Sequence, residues 1–231
     1  MNFKLIEKKV ECLGTKSFFF KSEKPFTWLP GQYIYLKLKL NYPDERGDLR
    51  DFTISSSQTE DDLVRITTRV RQSSGYKKTL DEIKIGDFVE ANGPHGFFIF
   101  DPIVNKGNNI FLAGGIGITP FRSFIKSNID NNLSIPMHLI YSNTNENEIT
   151  FKEELKKIEN KYNFFKLDSF ITSKEGRLNE TKLNKIISKK ALLKSNFWIV
   201  GPPAFVSAME GILEKLGVSS DKIRIEKFTG Y

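Results

Sequence analysis

The stretch IFLAGGIGITPFRSF, Ile110–Phe124, constrains this chain more than any other. Ile110–Ala113 read as a buried strand, and Gly114, Gly115 and Gly117 as the tight turn after it. Thr119 and Pro120 suit the N-cap and first position of a following helix. A strand that passes through a glycine turn into a helix is a unit of a parallel sheet. The amides at such a helix start point outward and favour phosphate, and bare glycines let a pyrophosphate approach the backbone. The spacing is GxGxxP, and a glycine-rich turn with no ligand reads the same residues equally well. No carboxylate stands about 20 residues on to hold a ribose. Ser142 and Asn143, at the end of the next strand, are the polar residues there.

The sequence on either side of Asp101–Asn109 follows two different patterns. Before it, short runs alternate like strands. QYIYLKLKL puts Ile34, Leu36, Leu38 and Leu40 on one face and Tyr33, Tyr35, Lys37 and Lys39 on the other. LVRITTRVR sets Leu63, Arg65, Thr67, Arg69 and Arg71 against Val64, Ile66, Thr68 and Val70. With Gly and Pro between the runs, this predicts an antiparallel barrel or sandwich. After it, strands at 137–142, 164–170 and 196–200 alternate with helices near 151–161, 180–189 and 203–216, which predicts a parallel sheet. In the last helix Phe205, Met209, Ile212, Leu213 and Leu216 form one apolar stripe.

Composition removes several classes. The chain has 231 residues with one cysteine, Cys12, so neither an internal disulfide nor a four-thiolate iron–sulfur cluster is expected. No apolar run reaches the roughly 18 residues of a membrane span, and the charged N-terminal stretch carries no signal-peptide pattern. The expected location is the cytoplasm. The net charge of +7 comes from scattered lysines without a basic–aromatic cluster, so nucleic acid is not an expected partner.

The strand-rich half contains LRDFTISSS, Leu49–Ser57. Arg50 can clamp a phosphate, Phe52 offers a flat ring and Thr53 a hydroxyl. From these residues alone, a strand with a surface arginine and a core phenylalanine is the competing reading. The order of motifs is more specific: PGQYIYL, RDFTISS, SGYKKTL, GPHGFF, AGGIGITP, IVGPPAFVSAM and EKFTGY follow one another from about residue 5 to 231. In this the chain resembles the ferredoxin–NADP reductase superfamily. The resemblance implies a β + α/β architecture: an antiparallel flavin-binding β-barrel over residues 1–103, then a Rossmann-like parallel-sheet NAD(P)-binding domain over 104–231.

The resemblance also assigns residues. Arg50 would hold the flavin phosphates. Phe52, where Tyr is usual, would stack on the isoalloxazine, and Thr53, where Ser is usual, would bond near flavin N5. Ser55 completes that motif. Thr67, Arg69 and Val70 fall where the next strand passes the ribityl and phosphate. Gly75, Lys78 and Thr79 fall in the segment that grips the pyrophosphate. Gly114, Gly115, Gly117, Thr119 and Pro120 match the pyridine-nucleotide loop, with Ser142 and Asn143 near a ribose. Val200, Gly201 and Pro202 match a Cys-Gly-Pro motif beside the nicotinamide, with Val200 replacing the cysteine. Glu226 and Phe228 match a Glu-x-Phe ending whose aromatic covers the other flavin face, and Tyr231 is the rival for that role. Thr53 and Phe228 are thus the residues expected at the reacting atoms.

The cofactors implied are FAD, favoured over FMN, and NADH or NADPH. The implied function is hydride transfer between NAD(P)H and bound FAD, with electrons passing to a separate acceptor such as ferredoxin, flavodoxin or an oxygenase component. The positive charge suits an acidic redox protein. The alternative is a flavin-binding electron-transfer or regulatory subunit without hydride transfer, for which Val200 is the motivating departure.

Overall fold

The computed structural model describes residues 1–70 and 73–229; Arg71 and Tyr231 lie outside the described residues. The first six strands are β1 (Asn2–Cys12), β2 (Thr15–Ser22), β3 (Tyr33–Lys37), β4 (Leu49–Thr53), β5 (Val64–Arg69) and β6 (Phe88–His95). They form one sheet in the order β4-β3-β6-β1-β2-β5, and every neighbouring pair is antiparallel. Its two edges meet at an Ile54–Ile66 bridge, where the Ser55 N–H donates to the Arg65 carbonyl at 2.7 Å, so the sheet closes on itself. The alternation of β3 holds: Ile34 and Leu36 are fully buried and Lys37 is exposed. Helix α1 (Gly75–Glu82) packs Tyr76 and Leu80 into the barrel core, and the Tyr76 hydroxyl donates to the Leu36 carbonyl at 2.7 Å.

Strand β5 departs from its pattern, since both faces are covered. Arg65, on the face that reads as polar, is 3% exposed. Its guanidinium lies 5.0 Å from the Phe19 ring centroid and 4.6 Å from that of Phe151, and it donates to Glu11 at 2.6 Å. The second half of the chain covers that face, and burial is tolerable because the charge is paired and stacked.

The second sheet is parallel throughout, in the order β11-β10-β7-β8-β9. Its strands are β7 (Asn109–Gly114), β8 (Met137–Asn143), β9 (Phe165–Ile171), β10 (Asn196–Gly201) and β11 (Ile223–Lys227). Alternate β7 residues serve opposite layers. Phe111 and Ala113 pack with α2 (Thr119–Asp130) and α3 (Lys152–Lys161). After the short α4 (Thr172–Glu175) come α5 (Glu180–Ile186), α6 (Lys189–Lys194) and α7 (Pro203–Lys215), and Ile110 and Leu112 pack with these three. The single helix expected near 180–189 is instead α5 and α6. Ser188 separates them, its hydroxyl accepting from the Ala191 N–H at 3.3 Å as the cap of α6. In α7 it is Val206, Met209 and Leu213 that are buried, while Phe205, Ile212 and Leu216 pack at the margin.

Arg122 on α2 fastens the two sheets together. It donates to the Ser55 carbonyl at 2.7 Å and to both Glu60 oxygens at 2.8 and 2.9 Å, and pairs with Glu154 at 2.7 Å. Beside it the Ser123 hydroxyl donates to the Ser56 carbonyl at 2.8 Å. The nucleotide-type turn and the strand carrying Arg50–Thr53 are therefore clamped through adjacent residues. Among the described residues no helix is long and apolar enough to cross a membrane, and no cluster of His, Cys, Asp and Glu has the makings of a metal site.

Candidate nucleotide-binding site

A cavity of about 840 Å³ opens beside the barrel, walled by the loop at Pro43–Arg46, strand β4 and the start of α1. Four cations line it, Arg46, Arg50, Arg69 and Lys77, together with Asp44, Glu45 and Asp51. Arg50 is heavily committed. Its Nη1 donates to the carbonyls of Arg46, Gly47 and Leu49 at 2.7, 3.0 and 2.7 Å, and its Nη2 pairs with Asp44. Asp44 also accepts from the Ser74 hydroxyl and from the backbone N–H groups of Tyr76 and Arg46. Burial alone would raise its carboxyl, but these bonds and the Arg50 charge win and hold it at about 2.

The other barrel-side candidates divide between cavity and scaffold. Arg69 reaches across to the second half, with its Nη2 3.6 Å from Glu148 and 2.9 Å from where a Cβ on Gly115 would stand. Gly75 lines the cavity. Phe52 is a core residue, 3% exposed, with its ring 6.0 Å from that of Tyr76 and the Lys77 ammonium 4.4 Å from its centroid. Strand pairing explains the direction: Phe52 and Arg50 sit opposite the buried Ile34 and Leu36, whereas Asp51 and Thr53 share the face of Tyr33 and Tyr35. Phe52 thus presents no ring to the cavity. Thr67 is taken up in a buried chain of hydroxyls with Ser17 and Ser55 at 2.8 and 2.9 Å. Val70 packs against the barrel core. Thr79 donates to the Gly75 carbonyl at 2.8 Å within α1, and Lys78 lies 3.7 Å over the Tyr42 ring. The α1 lysine that faces the cavity is Lys77, bonded to the Thr68 hydroxyl at 2.5 Å. In SGYKKTL the two lysines are indistinguishable until the helix phase is known.

In the second half, Gly115–Ile118 form one 3-10 turn that runs directly into α2. Thr119 is the first residue of α2 rather than its cap, and its hydroxyl donates to the Ile116 carbonyl at 3.2 Å; Pro120 follows within the first turn. Gly117 is required by a close approach, since a Cβ there would collide with the Val200 carbonyl. The Val200 side chain is fully buried in the core on the α2 side, and Gly201 and Gly114 lie together under the Phe205 ring. Pro202 caps α7. Ser142 and Asn143 end β8 and are buried, 8% and 3% exposed.

The chain end connects the two places. The Phe228 N–H donates to the Gly201 carbonyl at 2.9 Å and its ring packs on the α2-side core, while Thr229 lines the barrel cavity. One residue pair earlier, Glu226 has a buried carboxylate oxygen, Oε2, with no hydrogen-bond partner among the described residues. Burial and the nearby Asp51 charge push its carboxyl up to about 7. An arginine-lined cavity at a helix start and a glycine turn suit a phosphate-bearing cofactor in each half. Asp44, Asp51, Lys77 and Thr229 belong to this setting and were not singled out by the sequence motifs.

Fold and site together define a two-domain nucleotide-binding protein. Comparison with known proteins makes the class specific. The family described as "Oxidoreductase FAD-binding domain" matches residues 2–100, and "Oxidoreductase NAD-binding domain" matches residues 111–211. "Flavohemoprotein A" of Dictyostelium discoideum is 30% identical over 97% of this chain and 59% of its own length. "NADH-cytochrome b5 reductase 1" of Scheffersomyces stipitis is 30% identical over 75% of this chain and 64% of its own length. The chain therefore spans less than two thirds of either relative. The ferredoxin–NADP+ reductase of Plasmodium falciparum superposes with a TM-score of 0.81 at 21% identity, covering 98% of this chain and 95% of that one. This chain thus joins an oxidoreductase FAD-binding domain to an oxidoreductase NAD-binding domain in a ferredoxin–NADP reductase-like fold.

Proposed function

We propose that the chain takes a hydride from NAD(P)H onto FAD and passes electrons to a separate small redox protein or oxygenase component. The observation that carries this reading is the meeting of the cationic barrel cavity and the glycine turn at one seam, through Arg69 and the chain end at Glu226–Thr229. Bound FAD supplies the redox chemistry: it accepts two electrons as a hydride and can release them singly. The chain's task is positioning and charge.

In this reading Arg69, Lys77, Arg50 and the start of α1 would hold the flavin phosphates, and Thr53, on the Asp51 face of β4, would offer a hydroxyl to the flavin ring. Gly114, Gly115 and Gly117 admit the nicotinamide nucleotide's pyrophosphate, with Ser142 and Asn143 at its ribose. Phe228 limits access to the flavin's second face. Residues 1–103 and 104–231 act as the flavin and nucleotide domains. Ser142 and Asn143 at the end of β8, where no cation follows before Lys152, favour NADH or relaxed use of both nucleotides. The relatives' names point to a haem protein as one class of acceptor, and the net charge of +7 favours an acidic one.

The test is the visible spectrum of the purified chain under anaerobic titration with NADH, then NADPH. Flavin absorbance that bleaches supports the reading, and the faster donor assigns the nucleotide. Flavin absorbance that persists with both donors would instead assign a flavin-binding subunit without hydride transfer.

A further inference from the structure

The donors that best suit a flavin phosphate are already engaged by an anion of the chain itself. One Asp44 oxygen accepts from Arg50 Nη2 and from the Arg46 N–H at 3.0 Å. The other accepts from the Ser74 hydroxyl at 2.8 Å and the Tyr76 N–H at 2.9 Å. An arginine, a hydroxyl and a helix-start amide are what a phosphate oxygen takes. The pair is enclosed, with side-chain exposures of 8% for Arg50 and 7% for Asp44. These contacts keep the Asp44 carboxylate charged throughout the physiological range.

The loop that carries Asp44 has anchors besides this carboxylate. Its base is packed: a Cβ on Gly75 would collide with the Tyr42 and Pro43 carbonyls, and the Tyr42 hydroxyl donates to Glu82 at 2.7 Å. Its tip is held by Arg50 Nη1 on the Arg46 and Gly47 carbonyls. These anchors do not use the Asp44 side chain and would remain if it rotated away. Two anions cannot share these donors, because like charges in contact repel strongly in a partly desolvated site.

We propose that Asp44 is a displaceable internal anion. It neutralises Arg50 and the start of α1 in the flavin-free chain, and it yields them to the cofactor's phosphate. Asp44 thereby sets how tightly and how fast the flavin is held. This rests on the flavin-binding reading above.

The experiment uses the full chain stripped of flavin, as wild type, Asp44→Asn and Asp44→Ala. FAD affinity is read by quenching of flavin fluorescence and inorganic pyrophosphate affinity by calorimetry. Both variants are expected to bind FAD and pyrophosphate at least tenfold tighter, a gain of about 1.4 kcal/mol. Their flavin-free melting temperature is expected to fall and to recover with pyrophosphate. Variants that fold by circular dichroism yet bind both probes no better than wild type would overturn the proposal and make Asp44 a permanent brace for Arg50. If Asp44→Ala does not fold, Asp44→Asn, of nearly the same size, decides. A wild type that takes no FAD, with variants that still gain pyrophosphate affinity, would sink the flavin reading and leave the displaceable anion standing. A wild type that takes FAD, with variants that gain nothing, would do the reverse.

Discussion

The two helix-start turns of this chain are made of opposite materials. At the start of α1 the cradle is side chains: Arg50, Ser74, Lys77 and the counter-charge of Asp44, supported by three backbone carbonyls. At the start of α2 it is backbone: glycines drawn so close to β10 that Gly117 has no room for a Cβ beside the Val200 carbonyl. A guanidinium placed against this turn, that of Arg69, comes from the barrel. A side-chain cradle can be switched by charge and by rotamer. A backbone cradle has only one shape and fails when that shape is filled. In the proposed reading, the barrel turn would tune affinity and the glycine turn would fix geometry.

The largest expected effect lies on the clamp between them. Arg122→Ala removes the partner of Glu60 and Glu154 and the donor to the Ser55 carbonyl. Breaking a buried ion pair from one side costs about 3–5 kcal/mol, and the partly exposed glutamates place this near the lower figure. Urea unfolding should show that loss, and flavin bleaching by NADH should slow more than flavin occupancy falls. Equal loss of both would mean that the barrel turn depends on the clamp as much as the glycine turn does.

Glu226 gives the next effect, with a pH signature. Its carboxyl titrates near 4.5 in the unfolded chain and at about 7 in the folded one. The neutral form is favoured by folding, so its contribution is fully present below pH 4.5 and is lost as pH rises through 7. The loss is on the order of 3 kcal/mol at most. Glu226→Gln should match wild type at low pH and become the more stable protein above pH 7, measured as denaturation midpoints across pH. A constant difference at all pH values would show that burial beside Asp51 does not govern this group.

Gly117→Ala tests the backbone turn directly. Overpacking against a neighbouring main chain costs roughly 1–3 kcal/mol, and here the obstacle is the Val200 carbonyl. The variant should retain FAD and lose NAD(P)H binding, read by nucleotide titration of the flavin-loaded protein. Retained nucleotide affinity would show that the turn can flex, which would weaken the contrast with the barrel.

Sequence made the order of the glycine turn legible because strand, turn and helix start lie within fifteen consecutive residues, Ile110–Phe124; the Val200 carbonyl that fixes Gly117 comes from β10 and is not legible there. The inward face of β3 was legible for the same reason. The barrel cradle was not, because its parts meet only through the fold. Asp44 and Ser74 stand 30 residues apart, and nothing in either neighbourhood announces the other. Alternation in β5 identified a polar face but not that the second half would cover Arg65. Arg50 and Phe52 were read from a motif, yet register against Ile34 and Leu36 decides their direction. Lys77 and Lys78 differ by one helical step, and only the phase of α1 turns the first toward the cavity.

The smallest predicted effect separates the two helix starts. Ser74 is the N-cap of α1, accepting from the Lys77 N–H at 3.2 Å while donating to Asp44 at 2.8 Å. Ser74→Ala removes a cap worth about 1 kcal/mol and one of the bonds that restrain Asp44. Helix α2 has no side-chain cap to lose, its start being set by the preceding 3-10 turn and Pro120. Thermal melting of Ser74→Ala without flavin should therefore show the full cap loss. With FAD bound the deficit should persist, because the phosphate loses the same hydroxyl. A deficit that vanished on FAD binding would mean the hydroxyl serves Asp44 alone, and that the flavin phosphate relies on Arg50 and the helix amide.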